Sequence, residues 1–314
     1  MHRLLGPLIF VLCALSPFHA NAADRGQELR DAALVGDTEL VRQLLNSGVD
    51  PNSKTNFGKS ALMFAVEENN HDVVSLLLEH GAHVNSKSVA GCTALTFAAE
   101  RGDTSMVKTL LAAGAKPLAK TRTGWDALTI ATRYGHLDVM RLLISHNANV
   151  NSSDKYGNTV LMTAIEKGNV TATQILVAAG ADPDIRNKDG YNALMVAAAH
   201  GQLPAAILLL DHGVDINAVS DDEATALHLA AGNGHVNTTI LLLERGALKD
   251  KQDRSGFTPL IEAIVSEQEK TADILLRNGA DATIKDRDGH DARYFAKKST
   301  NIRLKAILSE PGDK

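Results

Sequence analysis

The sequence predicts an all-α repeat solenoid of about nine stacked 33-residue units, each a helix-turn-helix with a hairpin loop, and three observations predict it. Alanine recurs at Ala32, Ala65, Ala98, Ala131, Ala164, Ala197, Ala230, Ala263 and Ala296, a step of 33 residues held without insertion or deletion. Leucine keeps the same step at Leu62, Leu95, Leu128, Leu161, Leu194, Leu227 and Leu260. Glycine keeps it twice: at Gly48, Gly81, Gly114, Gly180, Gly213, Gly246 and Gly279, with Asn147 in the single gap, and at Gly58, Gly91, Gly124, Gly157, Gly190, Gly256 and Gly289. Asn is the natural replacement for Gly where a helix ends in a left-handed residue. A strict period of this length is the signature of a stacked array and not of a globule with one core.

The elements of one unit follow in order. From Gly157 to Asp184 a turn leads into a short apolar helix (Val160, Leu161, Ala164, Ile165), then Gly168, then a second helix carrying Ile175, Leu176 and Val177. A pair of such helices cannot offset the ordering of its own backbone, so the units fold by stacking on one another. The units lie near 24–55, 56–88, 89–121, 122–154, 155–187, 188–220, 221–253, 254–286 and 287–308, giving a repeat domain over 23–308 and a tail over 309–314.

Residues 1–22 read as an export signal. A basic start (His2, Arg3) precedes an apolar stretch from Leu4 to Leu15, and small and polar residues end in Ala20-Asn21-Ala22, which places cleavage after Ala22. The apolar stretch is too short for a membrane span, which needs about 20 residues, and no later segment replaces it, so no membrane insertion is expected after signal removal. The first cysteine, Cys13, departs with the signal; Cys92 remains alone, which rules out an internal disulfide framework. A formal net charge of -5 offers no basic footprint for phosphates, so nucleic acid is not an expected partner.

The motif G-x-T-A-L-x-x-A-A, the pair Gly234-His235 and the run Leu241-Leu242-Leu243-Glu244-Arg245-Gly246-Ala247 resemble ankyrin repeats, and Thr258-Pro259-Leu260 is similar to the family's turn signature. The resemblance runs from Gln27 to Leu308. Most units carry Ala where the family prefers Pro, and only His228 occupies its usual histidine position; Met63, Thr96, Thr129, Met162, Met195 and Ile261 stand there elsewhere. Gln27, Glu28, Arg30 and Asp31 in the first unit, and Arg293, Lys297, Lys298, Arg303 and Lys305 in the last, read as solubilising caps. Glu223 replaces a loop glycine and Glu267 an inter-helix glycine, which marks the seventh and eighth units as the softest.

Signs of catalysis are few. Gly58-Lys59-Ser60 ends like a phosphate-binding loop, but Ser53 stands where the earlier glycine is required. His80, His146 and His212 share one slot near the end of the second helix, two units apart, roughly 20 Å at helix spacings of 8 to 10 Å, so no shared metal is expected. Neither a cofactor nor an enzymatic activity is expected. Asn151, Asn169 and Asn237 each begin a glycan acceptor sequence that matters only in a eukaryotic source.

The resemblance implies a protein partner held on the concave face, by hairpin tips and the outward side of the first helix. Those positions hold Phe57, Trp125, Arg133, Tyr134, Tyr156, Lys167, Tyr191, His200, Phe257 and His290. The expected partner-binding residues are Trp125, Arg133, Tyr134, Tyr156, Lys167, Tyr191, His200 and Phe257, centred on the fourth to sixth units, with Arg122, Lys155 and Lys188 around them and Asp221, Asp222 and Glu223 beyond. Exported bacterial proteins of this build imply a monomeric periplasmic or secreted adaptor, in peroxide defence, as an immunity protein against a secreted toxin, or as an effector binding host proteins.

Overall fold

The computed structural model describes residues 22–308, so the export segment through Asn21 and the tail 309–314 lie outside the described residues. Among the described residues the chain forms eighteen α-helices in nine pairs, from α1 (Ala22–Val35) and α2 (Thr38–Asn46) to α17 (Ala292–Lys298) and α18 (Ile302–Ile307). First helices pack on first helices of adjacent units, and second helices on second helices. The result is a two-layered solenoid whose buried side chains form one continuous apolar cluster from Leu29 to Leu304. The leucine and alanine series occupy it: Leu128, Leu161, Leu227 and Leu260 are fully buried.

The polar residue before each first helix starts it. The Ser60, Thr93, Asp126, Thr159, Asn192, Thr258 and Asp291 side chains each accept the N–H three residues on, satisfying a donor that the helix leaves open. The glycine series ends elements at positive φ, and Asn147 does the same at φ 60, as its place in the series predicts.

A second device recurs in the hairpins. Thr55, Ser88, Thr121, Asp154, Asn187, Ser220, Asp253 and Asp286, again 33 apart, each accept through the side chain the N–H four residues on. Asn52, Asn85, Asn151, Asn217 and Asp250 reach forward to accept an N–H 31 residues ahead, at 2.7 to 2.9 Å, stitching unit to unit. Backbone bonds join successive hairpin tips as well, such as Val89 N–H to Phe57 C=O, Arg122 to Ala90 and Lys155 to Thr123.

The two misplaced glutamates behave differently from each other. Both are left-handed, Glu223 at φ 62 and Glu267 at φ 59. The Glu267 carboxylate, however, accepts the Ser299 hydroxyl at 2.8 Å and the N–H groups of Thr300 and Asn301 at 3.0 and 3.2 Å. Those bonds, led by Ser299, hold its carboxyl below the usual range. The residue expected to soften the eighth unit thus ties the ninth unit to it. Glu223 has no such compensation, and Asp221 N–H beside it makes none of the tip-to-tip bonds found in the other hairpins.

Candidate partner-binding groove

The fourth residue of each first helix faces the hairpins. In α3 (Ala61–Glu67), α5 (Ala94–Arg101) and α7 (Ala127–Tyr134) this residue is large and apolar: Phe64, Phe97 and Ile130. One unit on it is Thr163, followed by Val196, Leu229, Glu262 and, in the ninth unit, Phe295. Phe97 and Ile130 help build a groove of about 620 Å³, lined also by Phe57, Val89, Trp125 and Tyr134 among others, whereas Phe64 faces a separate cleft beside Phe57. Phe57 is 76 % exposed, Tyr134 52 % and Val89 47 %, so this is an apolar surface left open to water. Exposed apolar surface gathered in one place makes the groove a candidate interaction surface.

Each wall is held by named contacts. Trp125 N–H bonds the Thr121 hydroxyl, and its ring packs on the core with the Arg133 guanidinium 4.8 Å from the ring centroid, a cation–π contact. The Tyr134 hydroxyl donates to Glu100 at 2.9 Å, and this bond to an anion raises the phenol above its ordinary range. Lys59 is clamped by Glu67 at 2.7 Å and lies 5.0 Å from the Phe97 ring centroid. Lys59, whose phosphate-loop resemblance fails at Ser53, is therefore a wall of the groove. Cys92, half-buried, lines it too.

Of the residues expected to bind a partner, the groove unites Trp125 and Tyr134, together with Phe57, while Arg133 packs against the Trp125 ring without lining the groove. The others sit apart. Tyr156 is exposed on the fifth hairpin, with Lys155 Nζ 4.8 Å from its ring. Lys167 pairs with Glu166 at 2.8 Å. Tyr191 is half-buried against the core; burial first, then Asp189, Asp222 and Glu262, push its phenol up. His200 ends its helix with Nδ1 on the Val196 carbonyl. Phe257 packs edge-on against Phe295 at 5.3 Å, and His290 stacks on Tyr294. The gathered surface thus lies over the second to fourth units, nearer the N-terminus than the expected fourth to sixth. Val89, Phe97 and Ile130 were missed; the last two share a column with Phe64, Thr163, Val196, Leu229, Glu262 and Phe295, and that column is apolar along much of the chain, so it does not single out the second to fourth units.

The histidines serve the fold. His80, His146 and His212 each place Nδ1 on the carbonyl four residues back. His136 and His235 reach Glu100 and Ala199 carbonyls of the preceding unit. His228 accepts Thr225 N–H at Nδ1 and meets the Phe257 carbonyl through Nε2, bridging two units. Among the described residues Asp286, Asp288 and His290 bring three possible metal ligands together, but Asp286 Oδ1 accepts the Asp288 and His290 N–H groups as the hairpin device of its unit. Two of the asparagines in acceptor sequences also serve the fold through their side-chain oxygens: Asn151 Oδ1 accepts Asp182 N–H and Asn169 Oδ1 accepts Ala172 N–H.

A family model describing ankyrin repeats in three copies matches residues 29–121, 114–187, 154–220 and 194–286. The period, the helix pairs and this match together establish that the chain belongs to the ankyrin-repeat family, a class of protein–protein interaction modules. No curated protein matches the chain.

Proposed function

We propose that this protein is an exported, non-catalytic adaptor that holds a protein partner in the groove of the second to fourth units. One observation carries the reading: Phe57, Val89 and Tyr134, open to water, meet the half-buried Trp125 in a single groove although the four come from three different units. Stacking and capping use the rest of each unit, whereas nothing in the fold requires rings at these tips. Export to the periplasm rests on the N-terminal pattern ending at Ala22. Cell fractionation with N-terminal sequencing checks it: a periplasmic chain beginning at Ala23 is expected, and an intact Met1 terminus in the cytoplasm refutes export.

Binding is tested by capture from periplasmic extract with wild type beside a Phe57→Ala, Trp125→Ala, Tyr134→Ala variant. A protein retained by wild type alone is the expected result; equal retention by both moves the site off the groove. Its identity, whether an enzyme of peroxide defence or a toxin, decides the pathway. No capture, with recovery of the chain from culture medium, favours an external host target.

A further inference from the structure

Charge is distributed unevenly around the groove. The hairpin stretches 51–60, 84–93 and 117–125 carry Lys54, Lys59, Lys87, Lys120 and Arg122 and no carboxylate. In a chain of net charge -5 this is a local reversal of sign. Lys87 and Lys120 each place Nζ on a backbone carbonyl of the next hairpin, at 3.1 and 2.7 Å, so their charge stays at the tips with no carboxylate paired to it among the described residues. The Arg122 guanidinium lines the groove with no carboxylate within ion-pair distance among the described residues. The carboxylate in the groove lining, Glu100, lies at the helix-end side and is engaged by the Tyr134 hydroxyl, and the neighbouring acids are engaged too, Glu67 by Lys59 and Glu166 by Lys167.

Resting on the groove as the partner site, we infer that its occupant is an extended acidic segment of a protein, with one or more large apolar side chains entering between Phe57, Val89, Phe97 and Trp125 and carboxylates facing Arg122 and the tip lysines. The apolar floor supplies the anchor, and the unpaired cations on one edge fix direction, since reversed binding would set those carboxylates against Glu100. Non-specific basic or neutral segments lack the second half of this match.

The test is selection of random 12-residue displayed peptides on the full chain, followed by anisotropy titration of the selected peptides against point variants. Enrichment of an aromatic or aliphatic residue beside Asp or Glu is expected. Phe57→Ser and Arg122→Glu, both at exposed tips, should each weaken binding about tenfold, with affinity falling as salt rises. Peptides lost with Phe57→Ser but indifferent to Arg122→Glu, salt and acidity overturn the acidic occupant and leave the groove standing. Peptides that bind undiminished to Phe57→Ser overturn the groove itself. Absence of any enrichment overturns recognition of a linear segment, while capture of a folded partner can still succeed.

Discussion

The hairpins of the second to fourth units and the hairpin of the seventh share one backbone plan and carry opposite chemistry. Ser88 and Ser220 hold the same bond to the N–H four residues on. The first group shows Phe57, Val89 and Arg122 to solvent, whereas residues 221–223 are Asp221, Asp222 and Glu223. The first group keeps its glycines at φ 75 to 88, and the seventh hairpin forces Glu223 to φ 62. In a solenoid each unit is stabilised by its neighbours mainly through the buried face, so tips can diverge at little cost to the stack. The difference shows that scaffold and recognition are written in separate positions of the repeat.

The sharpest test of a common scaffold is truncation beneath the two regions. Leu128→Ala and Leu227→Ala, both at fully buried positions, should each cost about 3 kcal/mol in urea denaturation. A large loss at one and almost none at the other would break the equivalence. His228 gives a difference that depends on pH. Burial holds it below the usual histidine range, and its Nδ1 must stay unprotonated to accept Thr225 N–H. Because the folded value is depressed, the unfolded chain binds the extra proton first. Stability is full above about pH 6.5 and falls by up to about 1.4 kcal/mol per unit as pH drops toward the folded value. His228→Thr, the residue present at Thr96 and Thr129, should flatten this slope between pH 7.5 and 5.5.

Glu223→Gly should raise stability by about 1 kcal/mol, relieving a left-handed side chain that nothing compensates. Glu267→Gly relieves the same strain yet removes the tether to Ser299, Thr300 and Asn301, so hydrogen exchange in α18 should accelerate. If both variants stabilise alike, the tether has no role. At the smallest end, Phe57→Ser should shift the urea midpoint by less than about 0.5 kcal/mol in stability, since its ring touches mostly water.

The fold was legible because stacking demands the same residue at the same place nine times over, and the alanine, leucine and glycine series record that demand. The groove was legible in part. Trp125 and Tyr134 stand at tip and helix-end positions, and sequence spacing finds them. Phe97 and Ile130 were hidden because an apolar residue inside an apolar helix reads as core; only their column shows that they face the hairpins. Tyr191 and Phe257 occupy the same tip column as Trp125, yet their exposure depends on the adjoining unit, which for Phe257 supplies Phe295. Periodicity gives the slot of a ring and not its neighbour. The Ser299 tether on Glu267 was invisible for the same reason.

Cys92 offers the most direct test of the groove, since its thiol lies in the lining and no other cysteine occurs among the described residues. The rate of its alkylation by a maleimide, followed by mass spectrometry of its peptide, should fall in proportion to occupancy when the captured partner is added. An unchanged rate with the partner fully bound would contradict binding in the groove.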